Sequence, residues 1–177
     1  MLHTIGTKRS GGPGSGDLVD MLLECHVRIR TFAGLAVAVA ERTDTPPLEV
    51  SAACLRVERY FAEALPLHVR DEEESVLPRL RGRSPTVDAA LESMHDQHEL
   101  HVDLVARVLA ASAALRSSPR DPAARASLLG VARPLRAVLE PHLVAEEEII
   151  FPALRSLVPA PDQAAIVREL RARRSTG

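Results

Sequence analysis

The sequence predicts an all-α protein, an up-down-up-down four-helix bundle with a short C-terminal helix. Three observations predict it. Apolar residues recur at three and four positions along four long stretches. Pro, Gly, Ser or Asp punctuates the chain between one stretch and the next. Nowhere do β-branched residues alternate with polar ones, as they would in a half-buried strand. Short connections between long helices then make sequential neighbours antiparallel.

Residues 1–16 are rich in Gly and Ser, lack periodicity and read as a disordered arm, so His3 is set aside. The bundle is expected over residues 17–158. Asp17 is the expected N-cap of the first helix, whose stripe runs Leu18, Leu22, Cys25, Ile29, Phe32, Ala36. Thr43-Asp44-Thr45-Pro46-Pro47 stops it. The second helix spans about Leu48 to Leu80, with Val57, Phe61, Leu65, His68, Glu72 and Val76 on one stripe; Pro66 should bend or restart it. Gly82 and Ser84-Pro85 precede the third, about Thr86 to Leu115, whose apolar face holds Leu91, Met94, His98, Val105 and Val108. Asp121-Pro122 supplies a cap and an N1 proline for the fourth, which runs to about Val158 and which Pro134 and Pro141 should kink. Residues 159–177 form a short charged helix, Asp162 to Arg174, and a tail, expected to cover one end of the body.

Composition excludes several function classes. The 177 residues are 46% apolar and 26% charged, which suits a globular core. Lys and Arg number 22 against 24 Asp and Glu, so no basic excess exists to grip nucleic acid. No apolar run approaches a membrane span, and two cysteines make no disulfide framework, which points to the cytoplasm. The imbalance that remains is seven His against no Trp, one Tyr and three Phe.

An internal repeat absorbs the histidines. Pro66-Leu67-His68-Val69-Arg70-Asp71-Glu72-Glu73-Glu74-Ser75-Val76-Leu77-Pro78 aligns without a gap with Glu140-Pro141-His142-Leu143-Val144-Ala145-Glu146-Glu147-Glu148-Ile149-Ile150-Phe151-Pro152. Both read His-x-x-x-Glu-Glu-Glu-x-x-x-Pro. On a helix the residue four positions on lies about 40° from the first, so Glu72 and Glu146 share a face with His68 and His142. The following glutamates, Glu73, Glu74, Glu147 and Glu148, fall away from that face and are expected in solvent.

The other two helices each bring a core histidine, His26 and His98. Each half of the chain is thus one helix with a His followed by one with His-x-x-x-Glu. His101 shares one of the two apolar registers of the third helix and is a further candidate ligand; His95 is expected at the rim. Four imidazoles and two carboxylates exceed a tetrahedral zinc site. They suit two carboxylate-bridged ions with room for water or an oxo or hydroxo bridge. The mixed donors favour iron, with manganese next and zinc able to compete on affinity. Cys25 is read as a small core residue and Tyr60 as a helix-surface or packing residue.

These residues resemble the hemerythrin-like family of His-His-Glu cation-binding domains over about residues 18–158. The likeness rests on Leu22 through Arg30, the two repeat segments and Met94 through His98. It implies a left-handed four-helix bundle around a non-haem di-iron centre held by His26, His68, Glu72, His98, His142 and Glu146, with the two glutamates bridging. The oxygen-carrying members have a further helix-three histidine four residues from the first and a terminal Asp five beyond the last His. Here those helix positions hold Met94 and Val102, and Glu146 stands four beyond His142. The pattern resembles a subgroup associated with nitric oxide or peroxide chemistry, redox or iron sensing, and repair of iron centres.

The expected function is a di-iron protein that binds or senses O2, NO or peroxide, or handles iron. The competing reading is a di-iron enzyme, a peroxidase, NO oxidiser or O2-activating oxidase on a small substrate; iron-centre repair is a further alternative. The expected partners are a diatomic gas or peroxide and a redox partner, with no nucleic acid or membrane, for a monomer or weak dimer. An aliphatic site poor in aromatics is expected to admit small ligands and to offer little to stack a large planar one.

Overall fold

The computed structural model describes residues 17–175; the N-terminal arm and His3 lie outside that range. Five helices and no strand are found among the described residues. Helix α1 is Leu18–Glu41, α2 covers 47–80, α3 is Pro85–Ser117, α4 covers 122–157 and α5 is Ala160–Ser175. Each of the first three packs on the next, and α1 also packs on α4, so the bundle closes.

The termini are set by local chemistry. Asp17 accepts from the Asp20 backbone N–H at 2.9 Å while the Asp20 carboxylate receives the Asp17 N–H, a reciprocal cap. Asp121 caps α4 ahead of Pro122, and Pro47 and Pro85 begin α2 and α3 where a missing N–H costs nothing. Gly82 follows the end of α2 at φ 79°, a conformation that suits a residue without Cβ.

Three π-turns interrupt the long helices: Tyr60–Ala64 and Glu72–Val76 in α2, and Glu146–Ile150 in α4. Each is followed two residues later by a proline, Pro66, Pro78 or Pro152. A proline cannot donate its N–H and its ring crowds the preceding turn; one wide turn absorbs both. Pro66 therefore neither restarts nor ends α2. Pro134 and Pro141 lie within an unbroken α-helical stretch, Pro122–Ala145.

Two apolar clusters fill the bundle. One, around Val57, Phe61, Val108, Leu115, Leu128 and Leu135, occupies the end where α2 and α4 begin. The other gathers Leu18, Leu22, Leu80, Leu91, Phe151 and Leu154 at the opposite end, where α5 adds Ile166 and Leu170. The expected capping role of the last helix is thus met by packing. Its Arg173 and Arg174 also reach back to Asp71, a fully buried carboxylate, at 2.8 and 2.6 Å. The histidine positions fall between the two clusters. Among the described residues no helix is long and apolar enough to cross a membrane.

Candidate metal centre

The structure brings His26, His68, Glu72, His98, His142 and Glu146 together on the bundle axis, all buried. They form two groups that share both carboxylates. His26 and His68 with Glu72 and Glu146 make one; His98 and His142 with the same two glutamates make the other. In each, one donor atom from every residue lies within 4.8 Å of the rest.

The carboxylates span the two groups. Glu72 turns one oxygen to His68 Nε2 at 3.2 Å and the other to His98 Nε2 at 3.3 Å. Glu146 does the same between His26 Nε2, at 3.1 Å, and His142 Nε2, at 3.2 Å. These approaches lack hydrogen-bond geometry. Both oxygens of Glu72 and of Glu146, and Nε2 of His26, His68 and His98, are buried without a hydrogen-bond partner among the described residues. Leaving so many polar atoms dry and unpaired costs several kcal/mol per charge unless a cation takes them. The donors present, imidazole nitrogen and carboxylate oxygen, suit such a cation.

A second layer holds the rings. His26 Nδ1 lies 2.8 Å from Glu147, and His98 Nδ1 lies 2.8 Å from Glu73. A carboxylate can only accept, so Nδ1 carries the hydrogen and Nε2 faces the centre. This corrects the expectation that Glu73 and Glu147 point into solvent. Each is the residue after an inward glutamate, within a π-turn, and each leans on the neighbouring helix. Glu147 is fixed in turn by Arg30 at 2.7 Å, and Glu73 by His95 at 3.0 Å. Glu148 is exposed as expected, and exposed Glu74 pairs with Arg70. His142 Nδ1 is held by Gln97 Oε1 at 2.8 Å, whereas His68 Nδ1 has no partner among the described residues.

Electrostatics divide the imidazoles into two kinds. Burial alone would depress His26 and His98, but the carboxylates close to them, Glu146 and Glu72 at His26 and Glu72 and Glu73 at His98, push them up to about 10 and about 9. Burial pushes His68 down to about 4 and His142 to about 3. Burial, reinforced by the charge of Glu72, raises Glu146 to about 8. Burial also opposes ionisation of Glu72, yet the imidazoles of His68, His26 and His98 hold it below the usual carboxylate range.

The remaining candidates fall outside the two groups. His95 is half exposed at the rim, as expected. His101 is buried, meets the His142 ring edge-on at 5.1 Å, and lines a cavity beside the centre. Cys25 is half-buried beside Arg174 rather than a core residue, and Tyr60 is buried and stacked on Phe32 at 4.2 Å. The cavity, of about 590 Å³, is walled by Leu, Val, Ile, Ala and Phe side chains and ends at His68, His98, His101 and His142.

The hemerythrin HHE cation binding domain matches residues 17–114 and again residues 89–175. A comparison with curated proteins finds no match.

Proposed function

The chain belongs to the hemerythrin HHE cation binding domain family, and from that premise we propose that it holds two iron ions and binds O2, NO or peroxide at them. His26 and His68 would hold one ion, His98 and His142 the other, with Glu72 and Glu146 across both. One observation carries the reading: seven buried donor atoms of these residues have no hydrogen-bond partner and converge in two groups with shared carboxylates. Imidazole and carboxylate together favour iron over softer or harder alternatives, with manganese and zinc as substitutes. When bound, such a pair of ions supplies redox equivalents and an open coordination position for a small ligand.

The chain's own residues shape that chemistry. Glu147 and Glu73 fix the tautomers of His26 and His98, Gln97 that of His142. The two apolar clusters exclude water from both ends of the axis. The cavity gives an approach towards His98, His142 and His68.

Anaerobic reconstitution followed by metal analysis tests the ligand set: two iron per chain are expected. Less than one, with helicity intact, would overturn it. Stopped-flow mixing of the reduced iron form with O2, NO and peroxide should give stable optical changes without substrate consumption. Rapid multiple turnover would replace a binding protein by an enzyme; the size of the cavity is what favours that second reading.

A further inference from the structure

The repeat that duplicates the His and Glu residues also duplicates the spaces beside them, and the two spaces are not alike. The cavity lies between α2 and α3, along Leu65–Asp71, where those helices part after the π-turn Tyr60–Ala64. The same positions of the other half frame a second space between α4 and α1. There Ile29, Arg30, Ala33, Leu139 and Glu140 stand where the first has His101, Val102, Val105, Leu65 and Pro66. That second space holds only about 110 Å³. Arg30 crosses its mouth to Glu140 at 3.0 Å and to Glu147, and Arg136 replaces Ala62. One side is sealed by charged side chains; the other stays open over Val102, Pro66 and Ala62, all exposed.

The open side is too large for a diatomic molecule. At about 30 Å³ for each water, 590 Å³ has room for about twenty. An apolar wall gives water few partners, so the space suits an organic occupant in the usual size range of small-molecule pockets. Phe61 is the only aromatic ring outside the imidazoles in the wall, so an aliphatic chain fits better than a planar system. The polar groups are at one end. His101 is buried yet makes no hydrogen bond among the described residues, although its ring lines the cavity. The single guanidinium in the lining, Arg70, is more than half exposed and bonded to Glu74, so it offers no cation inside.

We propose that this cavity binds a neutral aliphatic molecule with one oxygen-bearing head group, an alcohol, aldehyde or hydroperoxide. Its chain lies in the Leu/Val wall and its head meets His101 beside His98 and His142. The inference rests on the reading above only for the metals behind those imidazoles; it gives the ligand class for the same site.

The test is calorimetric titration of the metal-loaded protein with 1-butanol to 1-decanol, n-octane and octanoate. Alcohol affinity should rise about threefold to fourfold per methylene until the cavity is full. 1-Octanol should bind at least tenfold more tightly than octane or octanoate. Octanoate tighter than octanol, octane equal to octanol, or no dependence on chain length would each overturn the proposal. Val102→Arg with Pro66→Glu copies the sealing pair of the other side and should lower octanol affinity at least tenfold with metal content unchanged; undiminished binding overturns it. His101→Leu keeps the wall apolar and should remove the preference for octanol over octane while octane still binds; a preference that persists overturns the head-group placement. Metal content, measured on the same samples, separates failure of this inference from failure of the di-iron reading.

Discussion

The two halves of the centre present the same donors and differ in what stands behind them. At His26 and His68 the outer ring contacts come from Glu147, itself locked by Arg30, and from nothing at all on His68 Nδ1. At His98 and His142 they come from Glu73, tied to His95, and from Gln97. Cys25 occupies, one residue before His26, the place that Gln97 holds before His98. One group is therefore under-supported and meets the cavity through His68 alone, while the other is fully oriented and faces the cavity with both imidazoles. A duplicated pattern of donors does not make two equivalent positions; the neighbours decide which is reached and how firmly each ring is aimed.

The largest effect should come from breaking what the two halves share. Glu146→Ala removes a carboxylate common to both groups and should empty both, lowering affinity more than 100-fold, whereas His142→Ala should empty chiefly its own. Both should also lower the melting temperature, because metal binding to the fold is folding energy. Metal analysis with thermal unfolding measures this; equal metal loss in the two variants would mean the carboxylates are not shared.

Next in size is a pH dependence that separates two kinds of imidazole. In the metal-free protein His26 and His98 hold protons up to about 10 and about 9, while His68 and His142 are neutral above about 4 and about 3. At pH 7 a metal must displace the protons of the first pair and that of Glu146, and none from the second pair. Apparent affinity should thus rise with pH, about tenfold per unit for each proton displaced, until Glu146 and those two imidazoles have lost their protons. Competition titrations with a chelator from pH 7 to 9 would show it; a flat profile would mean that neither the two rings nor Glu146 carries an extra proton.

Smaller again is the loss of an outer contact. Glu147→Ala should weaken the ion beside His26, and Glu73→Ala the one beside His98, each by about 10- to 100-fold. Glu148→Ala, in the same acidic run but exposed, should change nothing, and a matching loss there would expose a general charge effect. The smallest contrast is Gln97→Ala, about tenfold at the cavity-side ion, against Cys25→Ala at the corresponding place, with no change in affinity. Spectroscopic metal titration that resolves two binding steps checks both.

Much of this was legible in one helix at a time. The i, i+4 spacing of His68 with Glu72 and of His142 with Glu146 placed two donors on one face, and apolar stripes placed His26 and His98 inside. What escaped is what depends on a second helix. A regular helical wheel sends the residue after Glu72 or Glu146 outward, but the imidazole it meets belongs to the neighbouring helix. The signal was the second glutamate of the triple run in both repeats, together with the proline that follows each. The same limit hid Asp71, which looks like one more charge in an acidic run until Arg173 and Arg174, about a hundred residues later, close on it.

The crossed holds on the imidazoles have a consequence for the chain as a whole. His26 belongs to the first helical hairpin but is aimed by Glu147 of the second; His98 belongs to the second but is aimed by Glu73 of the first. Cutting the link between α2 and α3 would separate neither hairpin from its own His and Glu pattern in helices two and four, yet it would leave each imidazole reliant on a piece no longer tethered to it. Ends joined elsewhere, in a circularly permuted chain, would keep every such pairing. The unit that must stay intact is therefore the interlock between hairpins, not the order in which they are strung.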